Sequence, residues 1–276
     1  MVGYTHPVYG QAGLEASLDS YLRGLRGNPG LTIWLDHLYY GQPPPGLDVR
    51  LSLDSDLQRT ADQLLGGYTG ALVLLNAQTG EILAMASHPT FDANQLEANW
   101  ENLVKDPQSP LLNRAMQGAY PLSPGLADEL RAGLPADDRL TIPVQERQIT
   151  PLQMALAAAA LSNGGLRPAL HLALAVDTPR AGWVLLPPDG DPQQVLTQQV
   201  ADRAARDLAA ASESFWQSAD CTEGVVQEAR ELCWFTAGTT PDWQGTPLAL
   251  SILLERNDPG LAERIGQAML MAAMQP

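Results

Sequence analysis

The chain has 276 residues, 45% of them hydrophobic, and sets 31 acidic residues against 16 basic ones for a net charge of −15. That balance excludes a nucleic-acid binder and a protein that docks on anionic lipid, because both need Lys/Arg patches. The composition suits one buried core, or one domain with an appendage, and no stretch reaches the roughly 18 uncharged apolar residues of a membrane span.

In chain order, Leu14, Leu18, Leu22 and Leu25 recur at helical spacing over 12–26, ahead of a Gly/Pro-rich linker that ends in Pro43-Pro44-Pro45. This makes 1–46 a lead-in helix and linker, and 47–276 the main domain. Ser55 and Gln58 read as a capping box for a helix that stops at Gly66-Gly67. Ala71–Asn76 and Glu81–Ser87, joined by Gln78-Thr79-Gly80, read as an antiparallel hairpin. A short helix is expected over Ala127–Gly133, then a connector through Pro135 and Pro143. Thr150 as N-cap, Pro151 in the first turn and Gly164 at the stop frame an Ala/Leu-rich helix that should be buried nearly all round. Strands are expected near Leu170–Val176 and Trp183–Leu186, a helix from Thr197 to Ala211, a strand at Leu248–Leu254, and a closing helix from Asp258-Pro259 with Leu261, Ile265, Met269 and Ala272 on one face. Pattern alone yields mixed α and β.

Several local motifs follow one another in a telling order. They are Tyr9-Gly10-Gln11-Ala12-Gly13-Leu14-Glu15, Asp48–Asp54, Gly70–Asn76 with Thr79–Ser87, Phe91-Asp92-Ala93-Asn94, Pro110–Ala115, Gly118-Ala119-Tyr120-Pro121, Thr150-Pro151-Leu152-Gln153 and Ser162-Asn163-Gly164-Gly165. In that order they resemble the transpeptidase domain of penicillin-binding proteins, nearest the class without a glycosyltransferase domain, which cross-links septal or side-wall peptidoglycan. The resemblance implies an α+β fold of the β-lactamase/transpeptidase type, an antiparallel sheet flanked by helices. It also implies an extracytoplasmic domain of a longer protein that is held by an N-terminal membrane anchor, since the chain starts mid-motif at Val2-Gly3-Tyr4.

Three motifs carry that family's chemistry: a serine three residues before a lysine, a second serine triplet and a Lys-Thr/Ser-Gly strand. With Pro124-Gly125 aligned on the family's Pro-Gly, Leu126 takes the nucleophile slot and Glu129 the lysine slot; in a register two earlier, Pro124 and Ala127 do. A serine hydroxyl needs an adjacent base to become a nucleophile, and neither pairing offers hydroxyl plus amine. Only Leu126–Ile149 separate this point from the Thr150 helix, so the helical active-site subdomain reads as largely deleted. The third motif falls on Phe215–Thr222, ahead of Trp234-Phe235, or alternatively on Thr236-Ala237-Gly238-Thr239; neither holds a lysine. Lys105 is the chain's one lysine and sits in a polar turn before Pro107, where a solvated side chain is expected.

The resulting expectation is a domain that is not an enzyme, a transpeptidase pseudoenzyme with no catalytic residues and no cofactor, serving cell-wall assembly as a binding or scaffolding module. Two alternatives stand beside it: a non-covalent β-lactam or stem-peptide binder, and a hydrolase whose chemistry has moved to Ser123, Glu129 or a cysteine. The deletion implies a contact face around Leu126–Thr150, for a homodimer or a wall-assembly protein. Cys221 and Cys233 can close a disulfide loop in an oxidising compartment or remain buried thiols. His6, His37, His88 and His171 are scattered without ligand spacing, so no metal site is expected. Trp34, Tyr39 and Tyr40 read either as an aromatic contact patch or as packing of the N-terminal segment on the domain.

Overall fold

In the computed structural model, residues 3–42, 44–121, 148–209, 214–222 and 231–275 are described. The N-terminal part contains hairpin strands β1 (Gly3–His6) and β2 (Gly10–Ala12), helices α1 (Gly13–Ser17), α2 (Asp19–Leu22) and α3 (Gly30–Tyr40), and strand β3 (Val49–Leu51). The leucine spacing over 12–26 thus builds two short helices broken at Leu18. The expected linker is also corrected: it contains α3, an 11-residue helix closed by Gly41 in the left-handed conformation. Stacking of Tyr9 on Trp100 at 4.0 Å, with Tyr4 edge-on to Phe91 and Trp100, fixes the first hairpin to the domain.

The main sheet is antiparallel throughout, with its strands in the order Phe215–Thr222, Leu232–Thr239, Leu248–Leu254, Gly70–Asn76 and Ile82–His88. Before it come α4 (Ser55–Leu65), then β4 (Gly70–Asn76) and β5 (Ile82–His88), the expected hairpin. Asn76 Oδ1 accepts from the Gln78 and Thr79 amides across its turn. Gly80 stands at φ +75° where a Cβ would lie 1.8 Å from the Ala169 carbonyl oxygen, so only glycine fits. The cap of α4 is a correction: Asp54, not Ser55, accepts from the first-turn amides, while Gln58 reaches across to the Met85 backbone.

After α5 (Leu96–Lys105), β6 (Tyr120–Pro121) pairs with β7 (Gln148–Ile149). Next is α6 (Pro151–Ser162), with the full capping box of Thr150 and Gln153 in place. Then come β8 (Leu166–Arg167), β9 (Ala173–Thr178), β10 (Gly182–Leu185), β11 (Gln193–Gln194), α7 (Gln198–Ala209), β12 (Phe215–Thr222), β13 (Leu232–Thr239), β14 (Leu248–Leu254) and α8 (Pro259–Ala273). Strands β10-β9-β3 form a smaller sheet.

Alternation of side chains along each strand divides the core in two. Leu72 and Leu74 of β4, Leu250 and Ile252 of β14 and Phe235 of β13 face α4 and α8. Ala71, Val73 and Leu75, with Ala249, face α6 and α7. Central strands buried on both faces read as unbroken apolar runs in sequence, which is why β4 and β14 were recognisable. Helix α8 approaches so closely that a Cβ on Gly266 would lie 2.0 Å from the Phe235 ring.

Candidate functional site

The site is built where β6 meets the sheet. Tyr120 and Pro121 lie opposite Ile149 and Gln148, so the segment 122–147 leaves and returns at one two-stranded ladder. Trp234 of β13 secures that ladder: its indole Nε1 donates to the Pro121 carbonyl at 3.0 Å, and its ring meets Tyr120 edge-on. Met154 of α6, Leu232 and Leu253 complete an apolar floor.

The approach to the ladder is held by a buried ion pair. Arg114, fully buried, donates from Nε to Glu255 Oε1 at 2.7 Å and from its terminal nitrogens to the Ser109 and Gln108 carbonyls. Tyr120 Oη donates to the same carboxylate oxygen at 3.1 Å. This buried charge pair thus clamps the segment 108–120 to the end of β14, and Nη1 and Nη2 each donate to a backbone carbonyl, the kind of added hydrogen bonding that lets such a pair be tolerated.

Cross-strand register brings three hydroxyl side chains into a row on the same face as Trp234: Ser218 of β12 opposite Thr236 of β13, and Thr236 opposite Ser251 of β14. All three are buried, and the Thr236 and Ser251 hydroxyls have no hydrogen-bond partner among the described residues. Asp220, opposite Trp234, shares this face, and Trp216 Nε1 donates to Ser162 Oγ at 3.0 Å. Sequence reading missed Ser218, Asp220 and the hydroxyl row. Alternation along Phe215–Thr222 was a usable signal for Ser218 and Asp220, but the row depends on register.

Leu126 and Glu129, the slot residues, and Ser123 lie outside the described residues, as does the stretch 122–147 of the expected contact face and deletion. Phe215–Thr222 is the terminal strand of the main sheet, and Thr236–Thr239 lies on the interior strand beside it. Cys221 and Cys233 stand opposite one another on β12 and β13 with Cα atoms 4.0 Å apart, and are joined as a disulfide. Lys105 ends α5, its side chain 75% exposed, paired with Glu101 at 3.4 Å. The histidines stay apart. His88 lies between the Gly66 carbonyl and Asp62, and its hydrogen bond holds the Asp62 carboxyl below the ordinary carboxylate range despite partial burial. Trp34, Tyr39 and Tyr40 are 58%, 73% and 75% exposed, which corrects the reading that packs them on the domain.

An antiparallel five-stranded sheet between two helical layers defines an α+β domain of the transpeptidase type. Residues 70–125 match the model of the penicillin binding protein transpeptidase domain. Over that stretch the chain is similar to a penicillin-binding-protein transpeptidase domain, and its fold is of that type. It is 38% identical over 122 residues to the peptidoglycan D,D-transpeptidase MrdA of Acinetobacter baumannii, covering 41% of this chain and 18% of that protein. With the peptidoglycan D,D-transpeptidase PbpA of Mycolicibacterium smegmatis the identity is 34% over 138 residues, covering 44% of this chain and 27% of the relative. The chain thus spans less than a third of the curated relatives it matches. The crystal structure of PBPA from Mycobacterium tuberculosis superposes with a TM-score of 0.80 at 19% identity, covering 99% of this chain and 90% of that one.

These relatives overturn one expectation. They are named as transpeptidases, that is, as enzymes, so the reading of the chain as a non-enzyme is withdrawn. That reading rested on the absence of any lysine but Lys105 and on an alignment register across Leu122–Glu129, most of which lies outside the described residues.

Proposed function

We propose that the chain works in peptidoglycan assembly, engaging the peptides and β-lactams that a transpeptidase-type site receives. The observation that carries this is the 38% identity to a peptidoglycan D,D-transpeptidase. The clamped ladder of Tyr120 and Pro121 supports it, because Arg114, Glu255 and Trp234 use buried hydrogen bonds to hold the C-terminal part of the matched segment 70–125 in one place. The joined pair Cys221–Cys233 supports placement in an oxidising, extracytoplasmic compartment. A contact face around Leu126–Thr150, for a second copy or a wall-assembly protein, belongs to the same proposal.

The test is incubation with a labelled penicillin, followed by native and denaturing separation and a melting curve with and without ligand. Retention of label, or a concentration-dependent rise in Tm, is expected. An adduct that survives denaturation is mapped by mass spectrometry to the group that carries the chemistry. Absence of both label and Tm shift refutes the proposal.

A further inference from the structure

The loop that joins β13 to β14 builds a recess at the far end of the main sheet from the Tyr120 ladder. Strand β13 runs from Leu232 and Trp234 at that ladder to Thr239 at the loop, about 23 Å along an extended strand. The recess measures about 740 Å³, and its lining includes Asp242, Trp243 and Thr246 of the loop with Ala273 and Met274 at the end of α8. That volume lies within the roughly 300–1,000 Å³ of small-molecule sites.

Its aromatic wall is fixed before any ligand arrives. The Trp243 amide donates to the Thr240 carbonyl at 3.1 Å, and the indole Nε1 donates to the Thr246 carbonyl at 3.1 Å. A Cβ on Gly245 would lie 2.6 Å from the indole, so the ring rests against bare backbone. An indole held in this way gives up little freedom on binding.

Charge selects the ligand. Asp242 is the one charged residue of the lining, and the rest is indole, amide, hydroxyl, Gly, Ala and Met. Helix α8 ends at Ala273, so the partial negative charge of its last carbonyls lies at the recess. Arg206 of α7 reaches Asp242 from Nε at 3.3 Å and from Nη2 at 3.5 Å, but the two side chains are 54% and 63% exposed. A pair so open to water is held weakly. Arg206 answers Asp242 first and Asp202 more weakly, so one cation here faces two carboxylates. An anion finds no charged partner in the lining. An organic cation finds the carboxylate, the helix end and the indole π system, with Ala273 and Met274 to cover its alkyl groups.

We propose that this recess binds an organic ammonium ion, its charge shared between Asp242 and the Trp243 ring, and that Arg206 is the internal cation it displaces. The site is separate from the one that receives peptides and β-lactams in the reading above, and neither proposal rests on the other.

The test is an NMR titration of the 276-residue chain with choline and with its neutral analogue, in which carbon replaces the ammonium nitrogen. The signal followed is the indole N–H that disappears in W243L. Choline is expected to shift it saturably, and the neutral analogue to bind at least about tenfold more weakly, as is choline to D242N. R206A, which frees Asp242, is expected to bind choline at least about threefold more tightly. The proposal is overturned if choline leaves the signal unmoved, if sodium chloride at equal concentration moves it as much, if the neutral analogue binds equally well, if D242N binds as wild type does, or if R206A binds no more tightly. Melting curves check that the variants keep the fold; where one does not, the comparison of choline with its analogue on wild type decides.

Discussion

Replacement of Arg114 by methionine tests the clamp that holds the approach to the candidate site. The guanidinium is fully buried and the Glu255 side chain is 7% exposed. The substitution removes the 2.7 Å hydrogen bond to Glu255 and the donors to the Ser109 and Gln108 carbonyls. It deprives the buried Glu255 carboxylate of the Arg114 guanidinium. Breaking one side of such a pair costs about 3 to 5 kcal/mol, equivalent to roughly 10 °C in Tm for a domain of this size. The E255L change in the R114M background removes the buried carboxylate as well, so the double variant is expected to recover much of the loss, as apolar replacements of buried pairs do. Urea titrations of wild type, both singles and the double form the cycle. Because Arg114 secures the segment that leads to Tyr120, R114M is also expected to weaken penicillin retention. The reasoning is refuted by an R114M chain within about 1 kcal/mol of wild type, the range of an exposed pair, or by a double variant no more stable than the weaker single.

Three further outcomes are expected. Gly266→Ala should destabilise by about 1 to 3 kcal/mol despite the better helix propensity of alanine, because the new methyl meets the buried Phe235 ring; denaturant midpoints check it, and a gain in stability refutes it. Thr236→Val should be neutral or stabilising by about 1 kcal/mol, since it removes a buried hydroxyl that has no partner, and a marked loss in the midpoint counts against that accounting. Asp62→Asn should lower stability modestly at neutral pH. The folded carboxyl is held low by His88, so its contribution is full above the unfolded value near pH 4 and is lost as pH falls through the folded value; the variant and wild type should therefore converge in acid, and a constant gap across that window refutes the assignment.

Elements whose signals are local were legible in the chain. The β4–β5 hairpin announced itself through two apolar runs around Asn76–Gly80, α6 through Thr150, Pro151 and Gln153, and α8 through Asp258-Pro259 and a four-residue stripe. Helix α3 was hidden because Pro and Gly on both sides of it weighed more heavily than its own spacing, and Asp54 was passed over as a cap in favour of its neighbour Ser55.

The order of motifs also determined the domain type, because each motif marks a turn, a cap or a buried strand that the fold requires. It did not determine the chemistry, since a slot assigned by register has no position in space until the backbone supplies one. Only the tertiary structure set Ser218, Thr236 and Ser251 in a row, joined Arg114 to Glu255 across 141 positions, and left Trp34, Tyr39 and Tyr40 exposed. Sheet register and helix orientation are settled by which surfaces the whole chain can bury together, and no window of the sequence contains that sum.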